Sequence, residues 1–112
     1  MVAALTEAPA AAFDPARCPR LVVKIGSSLL VDAAGQVRAA WLSGVVADLA
    51  ARRAAGQQIV IVSSGAIALG ARRLGLDKGG RASLEDAQAA AAVGQVALAG
   101  VWEQLLAAQG LT

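Results

Sequence analysis

Two short apolar runs are the clearest pattern in the chain. Residues 21–25 and 58–62 are rich in β-branched side chains and nearly continuous in apolar character. Such runs are typical of parallel strands that are covered on both faces. Small polar residues follow each run, Gly26-Ser27-Ser28 after the first and Ser63-Ser64-Gly65 after the second. The pattern predicts two strands whose carboxyl ends open into turns rich in hydrogen-bond donors.

The apolar positions elsewhere follow a helical period. One stripe predicts a helix that ends before Gly56, and it consists of Trp41, Leu42, Val45, Val46 and Leu49. A short helix is predicted over residues 66–74 and a long one from Leu84 to about residue 108, with Ser83 as its N-cap. Gly94 and Gly100 fall inside the long helix, where they predict a bend or a close approach to a neighbouring backbone.

A strand, a crossover helix and a second strand form one βαβ unit, which is normally right-handed and parallel. Two strands this apolar need further strands and helices beside them, because a two-stranded sheet is not stable alone. We therefore expect residues 21–112 to be the N-terminal part of a larger, incomplete α/β domain. Residues 1–20 are rich in Ala and Pro and predict a disordered extension.

Composition excludes several classes of function. A net charge of +2, with scattered Lys and Arg and three aromatic residues, does not favour nucleic-acid binding. Because the chain has no His and one Cys, Cys18, its residues cannot build a zinc site or a Ser-His-Asp triad. The single cysteine fits a reducing compartment. We assign no function to Cys18 and expect Trp41 and Trp102 to be core or interface residues.

No segment is expected to cross a membrane. Polar residues and glycines interrupt the charge-free stretch 54–71, and the apolar stretch 87–102 is short of the roughly 20 residues that a span needs. The N-terminal residues lack the basic and apolar regions of a signal peptide. These features predict a cytoplasmic protein.

The strand ends are the candidate binding site. Ligands of open α/β sheets lie outside the carboxyl ends of the strands, and N–H groups at a helix start favour anions. Lys24 adds a cation, so a phosphate or carboxylate site is predicted. Structural alternatives remain: Lys24 as an edge lysine whose stem reaches water, and the serines at 63 and 64 as simple helix N-caps.

Two further groups have both a functional and a structural interpretation. Gly94-Gln95 could approach a ligand or let the long helix pack closely on a neighbour, and packing is the favoured interpretation. Arg72-Arg73 is most simply a solvated helix face.

Three blocks of residues carry a family likeness: 22–28, 59–70, and 88–95 followed by 102–106. In this order and spacing the chain resembles the N-terminal part of the glutamate 5-kinases, within the amino-acid kinase family. The resemblance implies a three-layer αβα sandwich with parallel strands and crossover helices, of which this chain would form a part. It also implies transfer of the ATP γ-phosphoryl group to the side-chain carboxylate of glutamate, the first step of proline biosynthesis.

The same resemblance implies roles for individual residues. Lys24 matches the catalytic lysine that contacts the ATP phosphates, and Gly26 and Ser27 match the turn beside it. Ser64 matches a glutamate-binding residue, with Gly65 and Ala66 in the same turn. ATP and Mg²⁺ are the implied cofactors, with no metal ligand assigned in this segment. Proline is an implied feedback inhibitor, and the complete protein is expected to form homo-oligomers.

The chain also departs from the family pattern. Ser27 stands where many relatives have threonine, which keeps the hydroxyl. The family's downstream glutamate contacts, adenine-binding half and second catalytic lysine have no counterpart, so the chain alone is expected to be inactive. The alternatives are the kinase part of a bifunctional pyrroline-carboxylate synthase, another amino-acid kinase, a non-catalytic interaction fragment, and a gene-model or sequencing truncation with no separate biology.

Overall fold

The sheet of this protein has two parallel strands. The computed structural model describes residues 14–112, so residues 1–13 of the predicted extension lie outside the described part. Strand β1 (Arg20–Ile25) pairs in parallel with strand β2 (Gln58–Ser63), in a register that sets Ile25 opposite Ser63. The two predicted strands and their parallel pairing are confirmed, and each is one residue longer than the apolar pattern indicated.

The residues just before β1 make specific contacts. Pro15–Arg17 form a 3₁₀ turn that begins at Asp14, whose Oδ1 accepts a hydrogen bond from the Ala16 amide at 3.0 Å. Gln57 Nε2 donates to the carbonyl oxygens of Pro15 and Cys18, both at 2.7 Å. These bonds tie the segment that precedes β1 to the residues that precede β2.

Four α-helices accompany the strands in the described residues. They are α1 (Ser27–Leu30), α2 (Ala39–Ala54), α3 (Ala66–Leu74) and α4 (Leu84–Ala107). The last three match the predicted helices, whereas α1 is too short to show a period in the sequence. The predicted cap of α4 is confirmed, because Ser83 Oγ accepts a hydrogen bond from the Asp86 amide at 3.1 Å.

The hydrophobic core lies on one face of the sheet. Every helix contributes to it, and its buried members are Ile25, Leu30, Val31, Leu42, Leu69 and Leu98. Val23 and Ile61, neighbours across the two strands, pack against this cluster. Trp102 also packs against this cluster. Trp41, the first residue of the apolar stripe of α2, has 46% of its surface exposed.

The opposite face of the sheet is open in the described residues. Val22, Val60 and Val62 expose 60%, 44% and 46% of their surfaces. The expectation that both faces are covered is therefore met on one face only within residues 14–112. The α/β class is confirmed in the form of one sheet and one helical layer, and the third layer remains a proposal.

Helices α3 and α4 touch through their backbones. A Cβ atom added at Gly70 would collide with the carbonyl oxygen of Ala90, and one added at Gly94 would collide with that of Ala66. The close approach predicted at Gly94 is confirmed. At Gly100, by contrast, an added Cβ would meet nothing within 4 Å.

Helix α4 is long and apolar enough to cross a membrane when judged by length and composition alone. This differs from the prediction, which considered only the apolar stretch 87–102 and not the whole helix of 24 residues. A mostly buried core helix of a globular domain passes the same criterion; α4 supplies Leu98 to the core, and 17% of its apolar window is buried within the described residues.

Candidate functional site

The carboxyl ends of β1 and β2 lie side by side. The pairing of the two strands continues one step past their ends, where the Ser64 amide donates to the Ile25 carbonyl oxygen at 2.9 Å. This bond brings the turn that follows β1, which contains Gly26 and Ser27, beside the turn that contains Ser64 and Gly65. The structure therefore places both predicted turns at one edge of the sheet.

The first turn begins helix α1. Gly26 is the N-cap of this helix, and its carbonyl oxygen accepts hydrogen bonds from the amides of Leu29 and Leu30, both at 3.1 Å. The φ of Gly26 is −73°, and an added Cβ would meet nothing within 4 Å. Neither backbone conformation nor packing within the described residues requires glycine here, so the space beside Gly26 is open to a ligand.

Arg38 holds the far end of α1 in place. Its Nε donates to the carbonyl oxygens of Ser28 at 3.2 Å and Val31 at 3.4 Å. Its own amide donates to the carbonyl oxygen of Leu30 at 2.9 Å. A helix this short has little stability of its own, so these bonds position the turn at Ser27.

The second turn is built around Gly65, which is buried and has a φ of +120°. Gly65 is the N-cap of α3, and no side-chain hydrogen bond caps that helix. The interpretation of Ser63 and Ser64 as ordinary N-caps is therefore wrong. Ser63 Oγ instead donates to the carbonyl oxygen of Ser64 at 3.0 Å, while Ser64 is exposed at the sheet edge.

A cavity of about 640 Å³ opens at this edge. Both turns contribute to its wall, as do two segments that the sequence interpretation had not joined to the site. The turn residues in the wall include Ser27, Ser63, Ser64, Gly65 and Ala66. The volume is within the range of small-molecule sites.

The other wall residues come from the segment between α3 and α4 and from α4 itself. Lys78, Gly79 and Arg81 belong to the former, which forms a 3₁₀ turn over Asp77–Gly80. Gln95 comes from α4, so Gly94 packs on α3 while its neighbour faces the cavity. The sequence pattern assigns no function to Lys78 or Arg81. Two cations beside two glycines were the available sign, but their position at the cavity depends on how α3 packs on α4.

Lys24 is placed differently from the two turns. Its backbone is one residue from the end of β1, opposite Val62, but its side chain is exposed and is not among the residues that line the cavity. It follows the alternation that exposes Val22, and so it belongs to the open face of the sheet. Lys24 thus shares the sheet edge with Ser64, while its ammonium group lies outside the cavity wall.

The two arginines of α3 are both exposed. Arg72 nevertheless has a structural contact, because its guanidinium group donates to the carbonyl oxygen of Gly35 at 2.8 Å. This bond ties α3 to the loop that precedes α2. Arg73 is therefore a better control residue than Arg72 for substitutions that remove an exposed cation.

The donors at this edge are hydroxyl groups and backbone amides. Within residues 14–112 no cluster of three or more Asp, Glu, Cys or His residues could hold a metal ion. The chemistry available to the cavity is therefore recognition of an anion by N–H groups, hydroxyls and cations.

Comparison with known proteins identifies the family. Residues 19–112 match the amino acid kinase family. The chain belongs to this family.

Several curated members are highly similar to the chain. The glutamate 5-kinase of Sphingopyxis alaskensis is 71% identical over 100 residues, which are 89% of this chain and 27% of that protein. The glutamate 5-kinase of Novosphingobium aromaticivorans is 68% identical over 95 residues, 85% of this chain and 25% of that protein. The Zymomonas mobilis glutamate 5-kinase is 65% identical over 101 residues, 90% of this chain and 25% of that protein.

The chain thus spans about a quarter of the length of these curated relatives.

Proposed function

We propose that this chain forms part of a glutamate 5-kinase, which transfers the γ-phosphoryl group of ATP to the side-chain carboxylate of glutamate. The observation that carries the proposal is the hydrogen bond between Ser64 and Ile25, which sets the two turns beside each other. The likeness to glutamate 5-kinases from three organisms supports the same reaction. The product would be glutamyl 5-phosphate, the first intermediate of proline biosynthesis.

The reaction suits the residues at this edge of the sheet. A carboxylate is already a competent nucleophile, so the step needs no general base. Phosphoryl transfer depends mainly on positioning the reactants and on stabilising the charge of the moving phosphoryl oxygens. Oriented N–H groups and cations supply both.

Each turn receives one reactant in this proposal. Gly26 and Ser27 bind the ATP phosphates, because the space beside Gly26 is open and a glycine lets a ligand approach the backbone closely. Ser64, Gly65 and Ala66 bind glutamate at the cavity wall. Lys24 is the catalytic residue that neutralises the transferring phosphoryl group, at the sheet edge that it shares with Ser64.

Mg²⁺ is proposed as the companion of ATP. It usually binds through one or two carboxylates together with substrate phosphates. No acidic side chain lines the cavity within the described residues. The cavity wall therefore offers the metal no carboxylate ligand.

The proposal extends to the rest of the kinase. A further layer of the αβα sandwich would cover Val22, Val60 and Val62 and would complete the site around Lys24. The remaining length of the relatives is expected to supply the adenine contacts and a second catalytic lysine. Cytoplasmic location, homo-oligomer formation and inhibition by proline belong to the same proposal.

The test supplies the missing portion. In a chimera, residues 19–112 of this chain replace the matching segment of the Sphingopyxis alaskensis glutamate 5-kinase, and we call the product the completed kinase. ADP release is measured with ATP, Mg²⁺ and glutamate, and product is trapped as the hydroxamate. We expect glutamate-dependent turnover comparable to that of the unaltered relative.

The acceptor panel decides between glutamate and the acceptors of other amino-acid kinases. Aspartate, N-acetylglutamate and carbamate replace glutamate in the same assay. Turnover without any acceptor, or a higher kcat/KM with one of the alternatives, would refute the proposed reaction. A folded chimera that releases no ADP with any acceptor would show that the segment does not serve as this part of a kinase.

A further inference from the structure

The cavity at the sheet edge has a charged part that the proposed roles leave unused. Lys78 and Arg81 line it together with Gly79, from the segment between α3 and α4. Among the cavity's lining residues in the described part of the chain there is no Asp or Glu, so these two cations are unopposed within the wall. An unopposed pair of cations in a concave site attracts an anion more strongly than the same charges on a flat surface.

The segment that carries these cations is fixed against the two helices. Gly80 is buried, and a Cβ added there would lie 3.0 Å from the Ala71 Cβ and 3.1 Å from the Ala90 Cβ. The turn closes with a hydrogen bond of 3.1 Å from the Arg81 amide to the Lys78 carbonyl oxygen. Lys78 itself has a φ of 50°, which non-glycine residues seldom adopt. The backbone that carries both cations is therefore held in one place beside the cavity.

We infer that Lys78 and Arg81 bind the α-carboxylate of a dicarboxylic acceptor and so set the specificity of this kinase for acidic amino acids. The inference rests on the proposed function. Glutamate carries two carboxylates, and the reacting one must face the phosphoryl group at Gly26 and Ser27. The second carboxylate then needs a separate cationic partner, which these two residues provide from another segment of the same wall.

The geometry favours this carboxylate over the ATP phosphates as the anion. The turn to which we assign glutamate lines the same cavity as Lys78 and Arg81; it consists of Ser64, Gly65 and Ala66. Lys24, to which we assign the phosphoryl group, does not line it. The two groups of cations therefore serve different reactants.

The test compares two acceptors that differ only in the α-carboxyl group, which is a carboxylate in one and an amide in the other. Glutamate and its α-amide, isoglutamine, share the reacting side-chain carboxylate, but isoglutamine lacks the second negative charge. Steady-state constants for both are measured with the completed kinase, and then with its K78Q/R81Q variant. The matched control is R53Q/R73Q, which removes two exposed cations that do not line this cavity.

For the unaltered completed kinase we expect kcat/KM to be higher for glutamate than for isoglutamine by roughly 100-fold. In K78Q/R81Q the KM for glutamate should rise by at least roughly tenfold, because charge-assisted hydrogen bonds are lost. The constants for isoglutamine and the KM for ATP should stay within about twofold, so the discrimination between the acceptors collapses. The R53Q/R73Q control should keep the full discrimination.

A rise in the KM for ATP with intact discrimination would overturn the inference and assign the cations to phosphate. Equal losses for both acceptors would overturn it too, since they would indicate a structural role. Failure of the proposed function is distinguishable, because the unaltered completed kinase would then phosphorylate neither acceptor. K78R, which keeps the positive charge, should retain most of the discrimination.

Discussion

Gly65 and Leu30 are in direct contact where the two turns of the site meet. Leu30 is fully buried at the end of α1, and a Cβ added at Gly65 would collide with its Cδ2 atom. The Leu30 side chain, which is buried beneath the turn at Gly26 and Ser27, thus also limits how closely the turn at Gly65 can approach. This contact couples the proposed phosphate and glutamate regions through the core.

Substituting Gly65→Ala should destabilise the completed kinase by about 3 kcal/mol, from the positive φ and the overpacking of Leu30. The matched control is Gly75→Ala. Gly75 has a φ of +66° but nothing within 4 Å of an added Cβ, so its cost measures what an ordinary left-handed conformation costs alanine without overpacking, about 1 kcal/mol. Urea unfolding of both variants measures the two losses in the free energy of unfolding.

A double variant tests whether Leu30 is the group displaced by Gly65→Ala. Leu30→Ala alone should cost about 3 kcal/mol through the cavity that it leaves. In combination the two costs should be less than additive, because a methyl at position 65 enters the vacated space. Strict additivity would show that the two residues do not share that space.

Substituting Gly26→Ala should separate activity from stability. Because Gly26 has an ordinary φ and open space around it, the free energy of unfolding should change by less than about 0.5 kcal/mol. The KM for ATP should rise by at least roughly tenfold, because the new methyl group occupies the space next to the phosphates.

Gly44→Ala is the control for Gly26→Ala. Gly44 also has nothing within 4 Å of an added Cβ, but it lies within α2 and belongs to neither of the two turns. It should gain up to about 1 kcal/mol from helix propensity with unchanged kinetics. Equal KM values for ATP in the two variants would remove Gly26 from the proposed phosphate site.

The contact between α3 and α4 predicts opposite effects for two glycines of one helix. Gly94→Ala should destabilise the completed kinase by about 3 kcal/mol, because its Cβ meets backbone that cannot move aside easily. Gly100→Ala, also in α4, should stabilise it by up to about 1 kcal/mol. Thermal unfolding of the two variants measures both changes in stability. A stabilising effect of Gly94→Ala would contradict the observed contact between α3 and α4.

Lys24→Ala should lower kcat by roughly 100-fold or more, because one electrostatic contact to the transferring phosphoryl group is lost. Since Lys24 is not part of the hydrophobic core, the urea midpoint should not change. Arg73→Ala, which removes another exposed cation, should leave kcat unchanged. An unaltered rate in Lys24→Ala would end the catalytic assignment.

Local pattern predicted much of the architecture. Nearly continuous apolar runs were enough to predict β1 and β2. The helical period of apolar residues, together with start and stop residues, was enough for the helices from α2 to α4. Helix α1 escaped detection since four residues show none. The serines at 63 and 64 resemble N-caps by position, but the cap is Gly65, because the chain turns through a positive φ there.

The candidate site was likewise predicted only in part from the sequence. The two turns could be placed together from sequence, because consecutive parallel strands end at a common edge. The cations Lys78 and Arg81 could not, and for Gln95 the sequence left ligand contact as the less favoured alternative, since these residues reach the cavity through the packing of α4 on α3. The side-chain direction of Lys24 likewise depends on which face of the sheet the helices cover.

The sequence by itself determined the order of strands and helices, the two donor-rich turns and the family to which the chain belongs, because these depend on near neighbours along the chain. Only the tertiary structure decided which face of the sheet is covered, where Gly94 and Gly70 bring the backbones together, and which cations share a cavity with Ser64. Those properties arise from contacts between residues distant in sequence, and local spacing does not encode such distances.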